Sequence, residues 1–183
     1  MKLTRPRIHP LEKSEWNQEQ REILEPIHGQ EPFYNVAATL SRHPKAAQKF
    51  FGWARHVMGD TSAIEPRERE ILILRVGWLC DAEYEWGQHV IFARKAGLTD
   101  DEIARVKDGP DAAGWSEFDS ALLRAADELH HDSFISDETW TALSTQYDDQ
   151  QMMDVVFAVG QYHLVSMALN SFGVQLDDGV TGF

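Results

Sequence analysis

The chain has 183 residues, 43% of them hydrophobic, which is enough apolar material for a single globular domain spanning residues 1–183. It carries 30 acidic against 17 basic residues, and the net charge of −13 disfavours nucleic acid and anionic membranes as partners. The one cysteine, Cys80, excludes an internal disulfide and a thiolate zinc cluster. With no signal-peptide h-region and no run of about 20 apolar residues, we expect a cytoplasmic protein.

Helix-start signals recur along the whole chain. In order, they are Asn17 with Gln20, Pro32, Pro44, Pro66, Thr99 with Glu102, Ser116 with Asp119, and Ser136. We expect the first helix to end near His28, another to cover residues 81–95, and the last to run from about residue 148 to 172. No alternation of apolar and polar residues long enough for a strand is present. The sequence therefore predicts an all-α fold.

Residues 70–89, EILILRVGWLCDAEYEWGQH, are the most informative segment. Glu70 stands at the head of a nearly continuous apolar run, and Glu85 and His89 are four residues apart. Side chains at i and i+4 lie on one face of a helix, so Glu85 and His89 are able to meet. An imidazole titrates near neutral pH, and a neighbouring carboxylate orients it. This pattern favours proton-transfer chemistry, although an ordinary surface pair has the same spacing.

Arg75 interrupts the apolar run and needs a partner if the helix is buried. The partner is either a carboxylate, such as Glu70 or Glu85, or a bound anion, in which case Arg75 holds a substrate carboxylate. Tyr84 and Trp86 flank Glu85, and we expect both to line a substrate cavity.

In the last helix, Tyr162 and His163 follow an apolar stretch. A polar group in such a helix is either hydrogen-bonded in the core or faces a cavity. We place Tyr162 in the cavity wall and His163 at its far side, with a satisfied core histidine as the alternative. The set Glu70, Glu85, His89 and His163 resembles a metal site only weakly, because helical carboxylate sites use Glu-x-x-His spacing. We predict no metal and no cofactor.

The segment from Glu70 to His89, together with AGLTDDEIARV after it, resembles the carboxymuconolactone decarboxylase family, which includes alkylhydroperoxidase D-like proteins. The likeness covers about residues 35–173. It implies an all-helical bundle that assembles as a homo-oligomer, with trimer, dimer and hexamer as the expected states.

The peroxidase branch of that family carries a glutamate, a Cys-x-x-Cys pair and a histidine. The resemblance places the glutamate on Glu70 and the histidine on His89, but Ala82 and Glu85 stand at the two cysteine positions. Thiol-dependent peroxide reduction needs a reactive thiolate and a resolving thiol. The likeness without the cysteine pair therefore implies acid–base chemistry of the decarboxylase kind.

We expect a cofactor-independent enzyme of decarboxylase, lyase or isomerase type that acts on a small carboxylated or oxygenated metabolite. Its catalytic residues are Glu70, Glu85 and His89, with Glu85 orienting His89 or serving as a second acid. Two other functions remain open: an alkylhydroperoxidase-like antioxidant protein, and a non-catalytic oligomeric binding protein. Oligomerisation is also expected because two of the predicted helices are apolar nearly all round.

Overall fold

The computed structural model describes residues 2–26 and 34–183 of the chain. Within these ranges all regular structure is helical, and a 3-10 turn, Lys13–Glu15, precedes the first α-helix. The α-helices are α1 (Gln18–Leu24), α2 (Asn35–Leu40), α3 (Pro44–Met58), α4 (Pro66–Leu79), α5 (Glu83–Lys95), α6 (Asp100–Val106), α7 (Glu117–Asp132), α8 (Asp137–Leu143) and α9 (Asp149–Phe172). The all-α prediction is confirmed.

Local capping signals account for most of the helix starts. Pro44 and Pro66 occupy the first turns of α3 and α4, where a missing N–H costs nothing. Thr99 caps α6 by accepting a hydrogen bond from the backbone N–H of Glu102, whose side chain accepts from the backbone of Thr99 in return. These three starts agree with the sequence predictions. The predicted end near His28 and the predicted start at Pro32 lie outside the described residues.

One helix begins later than predicted. Helix α5 starts at Glu83, because Asp81 adopts a left-handed backbone conformation with φ of 53° and cannot be helical. This residue reverses the chain between α4 and α5, so that the two helices pack against each other. The reversal brings side chains on α5 back alongside the first turns of α4.

Helix α4 lies at the centre of the bundle and packs against α5, α7 and α9. Its residues Ile71, Leu72, Ile73 and Leu74 are fully inaccessible to solvent, although together they point in all directions around the helix. Burial of each such side chain stabilises the fold by about 1.5–3 kcal/mol. Because residues 69–77 of α4 are buried, any charged group in this stretch must find a partner or face a cavity.

Helix α9 packs against α3, α4, α5 and α7. By length and composition it is apolar enough to cross a membrane, but half of its most apolar window is buried inside the described fold. A core helix passes the same test, and the contacts of α9 with four other helices are those of a core helix.

Candidate active site

A cavity of about 570 Å³ opens between α3, α4, α5 and α9. Its walls are mainly apolar and include Phe50, Phe51, Met58, Phe92, Val165 and Leu169. Its polar groups include Arg69, Glu70, Glu85, Gln88, His89 and Tyr162. A mainly apolar cavity with a few polar groups is typical of small-molecule sites. Five sequence-predicted site residues therefore line the same cavity: Glu70, Tyr84, Glu85, His89 and Tyr162.

His89 on α5 is hydrogen-bonded to Glu70 on α4, with 2.7 Å between Nδ1 and Oε2. Since a carboxylate accepts, Nδ1 donates, and this leaves Nε2 of a neutral imidazole as the basic nitrogen. Both side chains are almost inaccessible to bulk solvent. The edge of the Tyr162 ring packs against the imidazole, with 4.7 Å between ring centroids. The histidine is thus fixed in position and tautomer, as a general base requires.

Glu85 does not orient His89, and this corrects the expectation from the i,i+4 spacing. Its Oε2 accepts a 2.9 Å hydrogen bond from the hydroxyl of Ser166 on α9, while Oε1 is buried without a partner in the described part of the chain. Gly77 on α4 leaves room for this carboxyl, because an added Cβ there would lie 3.3 Å from Oε1. The hydrogen-bonding partner of His89 is Glu70 instead.

Burial favours the protonated form of Glu85. The side chain is only 2% exposed, and burial raises its pKa well above the usual range, although the hydrogen bond from Ser166 acts in the opposite direction. The site therefore pairs a base, His89, with a neutral carboxylic acid that is able to donate a proton. Burial also raises the pKa of Tyr162, reinforced by the nearby Glu70 and Glu85, so the phenol stays neutral.

Arg69 lines the cavity, and the sequence analysis did not identify it. It is 7% exposed, forms no ion pair within the described ranges, and its Nε is buried without a hydrogen-bond partner there. Helical spacing could have indicated this position. Arg69 lies beside Glu70 and three residues after Pro66, and both of these residues line the cavity. Arg75, by contrast, lies about 140° around the helix from Glu70.

Arg75 does not line the cavity, so its predicted role in substrate binding is corrected. Its Nε and Nη2 donate to the two carboxylate oxygens of Asp127 on α7, at 2.6 and 2.9 Å. Nη1 donates to the carbonyl oxygens of Val106 and Lys107. Arg75 therefore forms an ion pair with a carboxylate, as one of the two alternatives predicted, but the partner is Asp127 rather than Glu70 or Glu85.

Trp86 and His163 do not line the cavity, so their predicted place in its wall is wrong, and the alternative of a hydrogen-bonded histidine holds for His163. Trp86 packs against the rings of Trp78 and Phe183. It therefore lies on a different side of α5 from Glu85 and His89, which line the cavity. His163 is hydrogen-bonded to the Val159 carbonyl and to His130 on α7. Among the described residues no metal-ligand cluster forms from Glu70, Glu85, His89 and His163.

The C-terminal segment after α9 supports the α5 wall of the cavity. Asp177 accepts hydrogen bonds from the Tyr84 hydroxyl, at 2.6 Å, and from the Gln88 amide, at 2.7 Å. It also accepts from the backbone N–H of Asn35. The backbone of Thr181 approaches Gly87 so closely that an added Cβ would lie 2.6 Å from its carbonyl oxygen. The sequence indicated only an irregular tail here, so Asp177 and Gln88 were missed.

Comparisons with known proteins give the family that this sequence matches and the fold that it shares. A sequence model of the carboxymuconolactone decarboxylase family matches residues 44–128, which contain Glu70, Glu85 and His89. None of the curated proteins matches the chain.

Several solved structures share the fold. An alkylhydroperoxidase AhpD core protein from Ralstonia eutropha JMP134 is 18% identical with a TM-score of 0.83, over 94% of this chain and 93% of that one. A peroxidase-related protein from Silicibacter sp. TM1040 is 13% identical with a TM-score of 0.81, over 97% and 95% of the chains. The debrominase Bmp8, in complex with 2,3,4-tribromopyrrole, is 13% identical with a TM-score of 0.76, over 96% and 94%. At these identities the likeness shows the fold alone.

The protonation of Glu85 leads to a testable pH dependence. Because its pKa is raised on folding, the folded state binds a proton more tightly than the unfolded state does. This contribution to stability is complete below the unfolded pKa of about 4.3 and is lost as the pH rises through the folded pKa. We expect Glu85→Gln, which cannot ionise, to gain stability relative to wild type as the pH rises from about 5 to 9.

Urea unfolding across this pH range provides the measurement, and Glu22→Gln at an exposed position on α1 is the matched control. A constant difference in unfolding free energy between wild type and Glu85→Gln would show that Glu85 is ionised throughout.

Proposed function

Because residues 44–128 of the chain belong to the carboxymuconolactone decarboxylase family, we propose that the protein is a cofactor-independent acid–base enzyme of decarboxylase, lyase or isomerase type. Its substrate is a small, largely apolar metabolite that carries a carbonyl group and one anionic group. One observation carries the proposal: an oriented base, a buried carboxyl group and a guanidinium without an ion-pair partner among the described residues line the same apolar cavity.

The Glu70–His89 hydrogen bond supports a general base at Nε2 of His89. This nitrogen removes a proton from the carbon next to the substrate carbonyl, and the C–H electron pair moves onto the carbonyl oxygen as an enolate. Glu70 stabilises the imidazolium that forms, because the two groups are already in contact. The imidazolium then returns its proton at the same or another carbon, and return at another carbon gives isomerisation.

The neutral Glu85 supports the complementary role of general acid. It donates its proton to the developing enolate oxygen, or to carbon after a carboxylate leaves as CO2 and its bonding electrons form the enolate. A carboxylic acid kept neutral by an apolar site is a favourable donor, because an ionised one repels the enolate charge.

Arg69 supports recognition of an anionic group on the substrate. A buried guanidinium without a partner is costly, and a carboxylate that enters the cavity relieves that cost through charge-assisted hydrogen bonds. The apolar walls formed by residues such as Phe50 and Phe92 fit the remainder of a small hydrocarbon-rich molecule.

Two alternatives receive less support. A thiol peroxidase needs a reactive cysteine in the cavity, whereas Cys80 does not line it and burial raises the pKa of this thiol. A non-catalytic binding protein is expected to have a filled interior around His89, whereas a cavity lies there. The cavity around His89 and the position of Cys80 outside it therefore favour proton transfer over either alternative.

Solvent deuterium exchange tests the chemistry directly. The probes are small keto carboxylates and carboxylated lactones in D2O, and NMR follows deuterium incorporation next to the carbonyl as well as loss of CO2. We expect His89→Gln to lower the turnover of any reactive probe by about 10²–10⁴-fold, because the general base is lost. The exposed His9→Gln variant serves as the control. Undiminished exchange in His89→Gln would remove the histidine from the mechanism.

The role of Arg69 is tested by comparing the binding of carboxylates with that of their uncharged methyl esters. We expect Arg69→Met to weaken carboxylate binding about 10–100-fold, since a charge-assisted hydrogen bond contributes about 1.5–3 kcal/mol, and to leave ester binding nearly unchanged. Isothermal titration calorimetry supplies the affinities. Arg94→Met on the exposed side of α5 is the matched control, because Arg94 does not line the cavity. Equal losses for acids and esters would contradict the assignment.

The proposal includes a homo-oligomer. Helix α9 exposes an apolar stripe made of Met153, Val156, Leu164 and Met167, each 36–62% exposed. These residues recur at helical spacing along one face, and an apolar stripe of this kind is typical of a subunit interface.

We expect wild type to scatter light as a multiple of the chain mass, and the double variant Leu164→Glu with Met167→Glu to scatter as a monomer, because buried charges oppose association. Phe134→Glu, at an apolar residue that is exposed outside the stripe, is the control and keeps the wild-type mass. A monomeric wild type at micromolar concentration would disprove the assembly.

A further inference from the structure

A second cluster of reactive side chains lies outside the cavity, where three helices converge. Cys80 is the C-cap residue that follows α4, His130 lies near the end of α7, and His163 lies in the middle of α9. The Cys80 Sγ is 3.9 Å from Nδ1 of His130. The same Nδ1 is 2.9 Å from Nε2 of His163. One ligand atom from each residue lies within 4.8 Å of the other two, and no other group of three His, Cys, Asp or Glu in residues 2–26 and 34–183 meets this criterion. All three residues are half-buried.

His163 is already oriented as a metal ligand. Its Nδ1 donates to the backbone carbonyl of Val159 at 2.8 Å, so Nε2 carries the lone pair and points toward His130. Metal-binding histidines usually donate their second ring N–H to a carbonyl or carboxylate in this way, because the bond fixes both the tautomer and the ring orientation.

Two of the three separations between the ligand atoms are close to those around a tetrahedral ion, and the third is at most 4.8 Å. With zinc–nitrogen bonds of about 2.05 Å and a zinc–sulfur bond of about 2.3 Å, tetrahedral angles separate two nitrogens by about 3.4 Å and nitrogen from sulfur by about 3.6 Å. The two short separations here, 2.9 and 3.9 Å, differ from these values by about half an ångström or less. Side-chain rotation alone covers that difference.

We propose that Cys80, His130 and His163 form a binding site for a borderline transition-metal ion, with Zn²⁺ as its occupant. One thiolate and two imidazoles are ligands that Zn²⁺ prefers. Three protein ligands leave a fourth position for water, as in open zinc sites.

Binding of the metal ion changes the protonation of two of its ligands. The Cys80 thiol loses its proton to solvent when the Zn–S bond forms. The His130 Nδ1–H, which donates to His163 without the ion, gives up its proton while Nε2 of the same ring takes one from solvent. One proton is therefore released for each ion bound, and affinity increases with pH. The site links α4, α7 and α9, so the ion also stabilises the folded chain.

Cobalt titration provides the test. The full chain is reduced, freed of metal with a chelator and titrated with Co²⁺, which takes the place of Zn²⁺ and reports on its ligands by absorption. We expect one equivalent of Co²⁺ to bind per chain, with a thiolate-to-cobalt charge-transfer band and tetrahedral d–d bands. Zn²⁺ should remove both and raise the melting temperature.

Three variants identify the ligands. Cys80→Ser should abolish the charge-transfer band, and His163→Gln should weaken Co²⁺ binding by more than about a hundredfold, a larger loss than that of an outer-shell partner. His131→Gln is the matched control, because His131 neighbours His130 in the chain but its Nδ1 contacts the Asp127 carbonyl instead. Circular dichroism confirms that each variant keeps its helices.

Wild-type protein without a charge-transfer band overturns the proposal, and this result requires no variant to fold. A band that persists in Cys80→Ser, or equal weakening in His131→Gln and His163→Gln, also overturns it and shows adventitious surface binding only. None of these readouts depends on catalytic activity, so they do not depend on the chemistry assigned to the cavity.

Discussion

Burial of residues 69–77 of α4 constrains the rest of the structure. Other helices cover this stretch, so each charged group on it needs compensation from a neighbour. Arg75 finds Asp127 and two carbonyls, and Glu70 finds His89. Arg69 finds no ion-pair partner in the described ranges, and it lies where the packing leaves a cavity. Arg69 therefore lies where a ligand is able to compensate its charge.

The same low-dielectric interior separates the roles of two carboxyl groups. Glu70 is hydrogen-bonded to an imidazole, whereas among the described residues Glu85 is hydrogen-bonded to a serine hydroxyl and its side chain is buried. Burial without a cationic partner favours the protonated form, so the proposed acid, Glu85, lies in the same cavity as the proposed base, which Glu70 holds in place. The difference between the two carboxyl groups thus arises from the packing of residues on two adjacent helices.

The fold alone leaves the chemistry open. Proteins that share it at 13–18% identity include an alkylhydroperoxidase-like protein and a debrominase. Function therefore has to be inferred from the side chains in the cavity. In this chain Ala82 and Glu85 stand where the resemblance places two cysteines, and burial raises the pKa of the remaining thiol, that of Cys80. These residues favour the proposed proton transfer over thiol chemistry.

The sequence by itself determined the helices, because capping residues and first-turn prolines act within a few residues of themselves. Together with the family resemblance, it also identified Glu70, Glu85 and His89, which line one cavity. Only the tertiary structure decided that Glu70 orients His89, that Arg69 rather than Arg75 faces the cavity, and that His163 lies beside Cys80. Helical spacing states which residues share a face of their own helix. It does not state which neighbouring helix covers that face, and that neighbour decides the partner of each buried polar group.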